Sequence, residues 1–164
     1  MIKIIEDNDI VQVINLMHDI HGSEGTEGYS HNQAAWVKNF MIIYYKSKEV
    51  DEAVVFGYFD DDKLVGFISG DLFTSFYDDR VIADMKDCVT TGKRGLVFTK
   101  LLDAFLEHYK SIGVLDWRFD SIKKDPDNRD RLVDFISKRY SDTNDIELFV
   151  SVRGVQKEDS NASQ

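Results

Sequence analysis

The chain of 164 residues is 43% hydrophobic and 12% aromatic with a single proline, a balance that buries a core and excludes a disordered or fibrous protein. Its formal charge of -10 argues against general nucleic-acid binding, which rests on neutralising phosphates with Lys and Arg, and suits a cationic partner instead. The opening MIKIIEDND lacks the long apolar core of a signal peptide, residues 40–45 are too short an apolar run to span a bilayer, and a lone Cys88 forms no internal disulfide. A soluble, cytoplasmic protein, monomer or homodimer, with no membrane partner is therefore expected.

In chain order, Ile2, Ile4 and Ile5 make a short first strand, and Asn8 or Asp9 caps a helix whose apolar face is Ile10, Ile14, Met17 and Ile20. His18 and His21 share a face of that helix, but no carboxylates stand in a ligand pattern and no metal is expected. Residues 22–31, with three glycines and with Glu24 and Glu27, predict a loop. A second helix follows, with Trp36, Val37, Phe40, Met41 and Tyr44 on one face. Residues 53–59 and 64–73 are β-branched and aromatic and are separated by Asp60-Asp61-Asp62-Lys63, which predicts an antiparallel hairpin. The next strand, 81–89, sets Val81, Ala83, Met85, Asp87 and Val89 on one face and Ile82, Asp84, Lys86 and Cys88 on the other.

Val97, Leu101, Leu102, Phe105, Leu106 and Tyr109 recur with the period of a helix, and Gly113 stops it. A fifth strand over 114–119, a helix over 128–140 facing inward through Leu132, Val133, Ile136 and Tyr140, and a last strand over 146–152 complete the order. The expectation is one mixed α/β domain over 1–155, with a largely antiparallel sheet flanked by helices, and a disordered tail over 156–164. Between the fourth strand and the third helix, Thr90, Thr91, Gly92, Lys93, Arg94 and Gly95 bring flexible backbone, hydroxyls and two cations to a helix N-terminus. Unpaired N–H groups and the helix dipole favour an anion such as phosphate there, although an ordinary polar turn has the same residues.

This order of elements, with that loop after the fourth strand, resembles the GCN5-related N-acetyltransferase (GNAT) family, its small phage-encoded members in particular, over residues 1–152. In that family the loop has the pattern Arg/Gln-x-x-Gly-x-Gly/Ala, its N–H groups hold the pyrophosphate of acetyl-CoA, and the open edge of the fourth strand pairs the pantetheine amides. The resemblance implies acetyl-CoA as co-substrate, an amine as acceptor, and a contact surface of Cys88, Val89, Lys93, Arg94, Gly95, Leu96, Val97 and Phe98. Alignment on Leu101-Leu102 sets Lys93 at the Arg/Gln place and Leu96 and Phe98 at the two glycine places. Alignment on Arg94-Gly95 keeps an Arg-Gly pair and deletes one residue before the helix, and both registers stay open. A side chain at a tight glycine place costs about 1 kcal/mol or more, so binding is weakened rather than abolished. Near the C-terminus, the family's Tyr-x-x-x-Gly-Phe, whose Tyr protonates the leaving thiolate, is matched by Phe135 to Tyr140. Phe135 stands at the Tyr place, so water becomes the proton source.

Acetyl transfer needs a carboxylate or a water chain to make the amine neutral, and N–H donors for the acetyl oxygen. Asp84 and Asp87 are the candidates, and on a regular strand they point to opposite faces. Asp87 is favoured as the base because Val81, Ala83, Met85 and Val89 on its face would desolvate it, whereas Lys86 would hold Asp84 ionised. A β-bulge in this strand would reverse that facing. Glu24 and Glu27 would attract a cationic acceptor. Cys88 has no His in a supporting motif and reads as a small buried residue. The expected function is acetyl transfer to an amine of a small molecule or protein by direct attack. The alternative is a catalytically silent protein of the same fold that binds a partner through its acidic surface.

Overall fold

The turn between the second and third strands is as tight as a hairpin allows. Asp60 and Lys63 pair with each other rather than joining the loop, leaving Asp61 and Asp62 to turn the chain, with Asp61 at φ 51°, a conformation Asp tolerates. Around this hairpin the computed structural model, which describes residues 1–23, 33–91, 94–119, 134–136 and 138–139, orders its sheet by sequence. The strands are β1 (Ile2–Ile4), β2 (Ala53–Asp60), β3 (Lys63–Thr74), β4 (Val81–Thr90) and β5 (Asp116–Phe119). The first three pairings are antiparallel and β4 with β5 is parallel, as a crossover through an intervening helix permits. That mixed, mostly antiparallel sheet flanked by helices is the expected class.

The helices are α1 (Ile10–Ser23), α2 (Gln33–Glu49) and α3 (Arg94–Ser111). On one face of the sheet, Val13, Leu16 and Met17 of α1 and Phe40, Ile43 and Tyr44 of α2 form a core with Val55, Phe59 and Phe67. The buried stripe of α1 therefore runs through Val13 and Leu16, with Ile14 only half-buried at its margin. A turn of 3-10 helix, Asp7–Asp9, precedes α1, and the Glu6 N–H donates to the Asp9 carboxylate at 3.1 Å. Glu6 is thus the cap of that 3-10 turn, with Asp9 three residues on.

On the opposite face, α3 buries Val97, Leu101, Leu102, Phe105 and Tyr109, as its period predicted, while Leu106 of the same expected face is half-buried. The helix lies close to β3 because Gly66 and Gly70 leave room: an added Cβ at Gly66 would meet Val97 Cγ1 at 2.8 Å, and one at Gly70 would meet the Asp84 carbonyl oxygen at 2.5 Å and the Phe105 ring at 2.6 Å. Gly70→Ala is expected to destabilise the protein by about 1–3 kcal/mol, since backbone and a packed ring must both give way. Urea unfolding with an unchanged midpoint would refute that packing.

At its C-terminus α3 is closed by Gly113, at φ 84°, and by the Val114 N–H, which donates to the Tyr109 carbonyl at 2.9 Å. That bond keeps Val114 out of the sheet, so β5 starts at Asp116 rather than at 114. The chain divides into two units, Met1–Phe119 and Asp120–Gln164. In the second, residues 134–136 and 138–139 are helical, inside the expected helix over 128–140. The strand expected over 146–152, the tail over 156–164 and residues 24–31 of the expected loop lie outside the described residues. Among the described residues no helix is long and apolar enough to cross a membrane.

Candidate active site

The middle of β4 carries one residue too many. Ser69 pairs with Asp87 and the next residue, Gly70, pairs with Met85, so Lys86 bulges out of the β3–β4 ladder. One extra residue shifts the in-out alternation by one. Asp84, opposite Asp71, and Asp87, opposite Ser69, therefore face the same side of the sheet. It is the side of α2: the Asp87 carboxylate reaches Trp36, and Asp71 lies 3.9 Å from Lys46 Nζ. The expectation of opposite faces is corrected. Val89 shares the face of Asp87, whereas Ala83 and Met85 pair with Leu72 and Gly70 and face α3 with Cys88, the partner of Ile68.

The two carboxylates have different surroundings. Asp84, 3% exposed, accepts from Arg118 Nε at 2.8 Å and Nη2 at 3.1 Å and from Lys86 Nζ. Burial works against its charge, but the hydrogen bonds and charges of Arg118 and Lys86 outweigh it and hold the carboxyl below its usual range. Lys86 also reaches Asp71 at 3.7 Å, so Asp84 sits in an ion-pair network that ties β5 to β4. Asp87 is half-buried. Its Oδ1 accepts from Trp36 Nε1 at 3.1 Å and its Oδ2 from Ser69 Oγ at 3.0 Å.

Next to Asp87, burial and then the Asp87 charge push the Cys88 thiol up to about 12, so it stays protonated at neutral pH and is a poor nucleophile. Val89 packs against the core. Thr90 ends β4, and α3 begins already at Arg94, so Arg94 and Gly95 belong to its first turn rather than to the loop. Gly95 has open space around it, Leu96 is 52% exposed, Val97 is buried and Phe98 half-buried. The side chain of Arg94, and Lys93, Glu24 and Glu27, lie outside the described residues. Among the described residues no group of three His, Cys, Asp or Glu is placed to hold a metal.

Sequence reasoning placed Trp36 on the inward face of α2 but gave it no partner, and passed over Ser69, Asp71 and Arg118. A polar signal existed: a Ser inside an apolar strand and an indole on a buried face both need hydrogen-bond partners. Which partners they find depends on the bulge.

No protein-family model matches the sequence, and no curated protein matches it. Solved structures do. An aminoglycoside 6'-N-acetyltransferase from Acinetobacter haemolyticus matches with TM-score 0.63 at 10% identity, covering 97% of this chain and 99% of the other. An aminoglycoside acetyltransferase from an uncultured soil metagenomic sample, in complex with sisomicin, gives 0.60 at 18% identity, covering 96% of each chain. Glucosamine-6-phosphate N-acetyltransferase from Arabidopsis thaliana gives 0.60 at 16% identity, covering 96% and 98%. The chain has the GNAT fold. Identities this low speak for the fold alone, so within the GNAT fold the chemistry rests on the residues of β4 and their neighbours.

Proposed function

We propose that this protein transfers the acetyl group of acetyl-CoA directly to an amine, with Asp87 as the base. The observation that carries the reading is the Asp87 carboxylate, fixed by Trp36 and Ser69 directly after the Lys86 bulge. Among the described residues, β5 pairs with β4 only from Ile82 to Met85, so residues 87–90 have β3 as their one described strand neighbour. That leaves a strand edge suited to an extended amide chain, running toward the first turn of α3. There the first N–H groups have no intrahelical acceptor and would hold a pyrophosphate, with Lys93 and Arg94 adding charge.

Asp87 takes a proton from the acceptor amine, whose lone pair attacks the thioester carbonyl carbon. The C–N bond forms, the C–S bond breaks, and the nitrogen sheds its second proton, which water relays to the leaving thiolate. The protonated Cys88 thiol favours this direct route over an acetyl-cysteine. The similar structures include an aminoglycoside acetyltransferase and a glucosamine-6-phosphate N-acetyltransferase. A formal charge of -10 favours an acceptor with several amines over a phosphorylated one, and Glu24 and Glu27 would help to attract it.

Release of CoA thiol from acetyl-CoA, with sisomicin, spermidine and glucosamine-6-phosphate as acceptors, tests the reading. Transfer to the polyamines is expected. CoA alone should raise the melting temperature, and further with each increase in its concentration, because a ligand bound by the native state adds about 2.7 kcal/mol at one hundred times its Kd. Changing Lys93 and Arg94 together to Ala should weaken CoA about tenfold, or about 1.4 kcal/mol, in isothermal titration. No thermal shift with CoA would sink the enzyme reading and leave a silent protein that binds a partner through its acidic surface.

A further inference from the structure

A general base must be ionised and must point at its proton, and β4 by itself secures neither for Asp87. A carboxylate held at one oxygen still turns about its last torsion; one held at both has a fixed plane. Here each oxygen accepts from a different element, Oδ1 from Trp36 of α2 and Oδ2 from Ser69 of β3. Ser69 is fully buried. Trp36 is itself held: its ring stacks on Phe40 at 5.1 Å and 16°, and tilts against Phe67 at 6.2 Å and 60°. Phe40 and Phe67 are core residues that meet edge to face at 5.8 Å. The aromatic core therefore sets the indole, and the indole sets the carboxylate.

We infer that Trp36 is a positioning residue for acetyl transfer: its N–H directs the Asp87 carboxylate toward the acceptor amine and stabilises the ionised form that acts as base. This role rests on the acetyl-transfer reading and goes beyond it, because nothing in the fold requires an indole at this place in α2. Donation to the charged form favours that form, so removing the N–H makes Asp87 easier to protonate. The acid limb of the rate then moves up in pH. Loss of alignment lowers kcat, whereas KM is expected to hold, as for a residue that acts through Asp87 and not on the acceptor.

Trp36→Phe keeps a ring on Phe40 and Phe67 and removes the donor together with part of the indole's bulk. In the full chain, with sisomicin and acetyl-CoA, kcat is expected to fall about tenfold with KM within about twofold, and the acid limb to rise by about half a pH unit. Carbon-13 NMR of the Asp87 carboxyl, which needs no acceptor, should show its midpoint rising by the same amount. In the wild type the Trp36 indole N–H resonance should follow that titration and stop doing so in Asp87→Asn, a readout that survives even if Trp36→Phe folds poorly. An unmoved carboxyl midpoint in Trp36→Phe, or an indole resonance indifferent to Asp87, overturns the role. A wild type that acetylates none of the amines while the carboxyl midpoint does shift overturns the acetyl-transfer reading, and this role with it.

Discussion

Asp87→Asn is expected to lower the rate of acetyl transfer about 100- to 1,000-fold, the scale of a general base, while leaving the fold intact. Asn matches Asp in shape. Its oxygen still accepts from Trp36 Nε1, and its NH2 meets Ser69 Oγ, which has lone pairs to accept where it formerly donated. These two contacts are kept and the proton acceptor is lost. Because the amine loses its own proton as pH rises, the deficit should narrow toward alkaline pH, where less work is left for the base. Thiol release against pH, beside a melting curve for each protein, makes the measurement. A folded variant with the wild-type rate and pH profile would take Asp87 out of the chemistry.

Asp84→Ala should instead damage stability, by about 2–3 kcal/mol. Removing one partner of a buried ion pair strands the others, which costs about 3–5 kcal/mol when all are fully buried. Here Lys86 is 39% and Arg118 23% exposed, so water recovers part of the loss. Arg118 also keeps its place over the Phe73 ring, 3.9 Å from the centroid. In the folded protein the Asp84 carboxyl lies below its ordinary value, so the stabilisation is fully present above the unfolded value of about 4 and is lost as pH falls through the folded one. The gap in stability between wild type and Asp84→Asn should accordingly shrink below about pH 4. Urea unfolding at several pH values reads this directly, and a gap independent of acid would show that Arg118 and Lys86 do not depend on the charge of Asp84. Set side by side, the two variants separate roles that share a face: Asp87 for rate, Asp84 for the junction of β4 and β5.

Much of the fold was legible because its causes are local. The period of Val97, Leu101, Leu102, Phe105 and Tyr109 specifies a helix and its buried face without reference to any partner, since hydrogen bonds in a helix close four residues apart. The Asp-rich turn between β2 and β3 is local in the same sense, and so is the stop at Gly113. The structure differs at two boundaries: Val114 gives its N–H to the last turn of α3, and α3 starts at Arg94, shortening the loop expected over 90–95.

The candidate site was legible as residues but not as a geometry. Asp84, Asp87 and Cys88 stand in a strand whose alternation looks regular, and nothing in that alternation marks Lys86 as the residue to bulge. The bulge belongs to the pairing, in which Gly70, with Phe105 and the Asp84 carbonyl pressed against it, takes Met85 as partner while Ser69 keeps Asp87. The contacts that give the two aspartates their separate roles join residues 51 and 34 positions apart, Trp36 with Asp87 and Arg118 with Asp84. Among the described residues, the sequence by itself determined which segments become helix and strand, through periodicities that a few consecutive residues can carry. Only the tertiary structure decided which way each carboxylate faces and what holds it, because facing is set by strand register, and register by long-range packing.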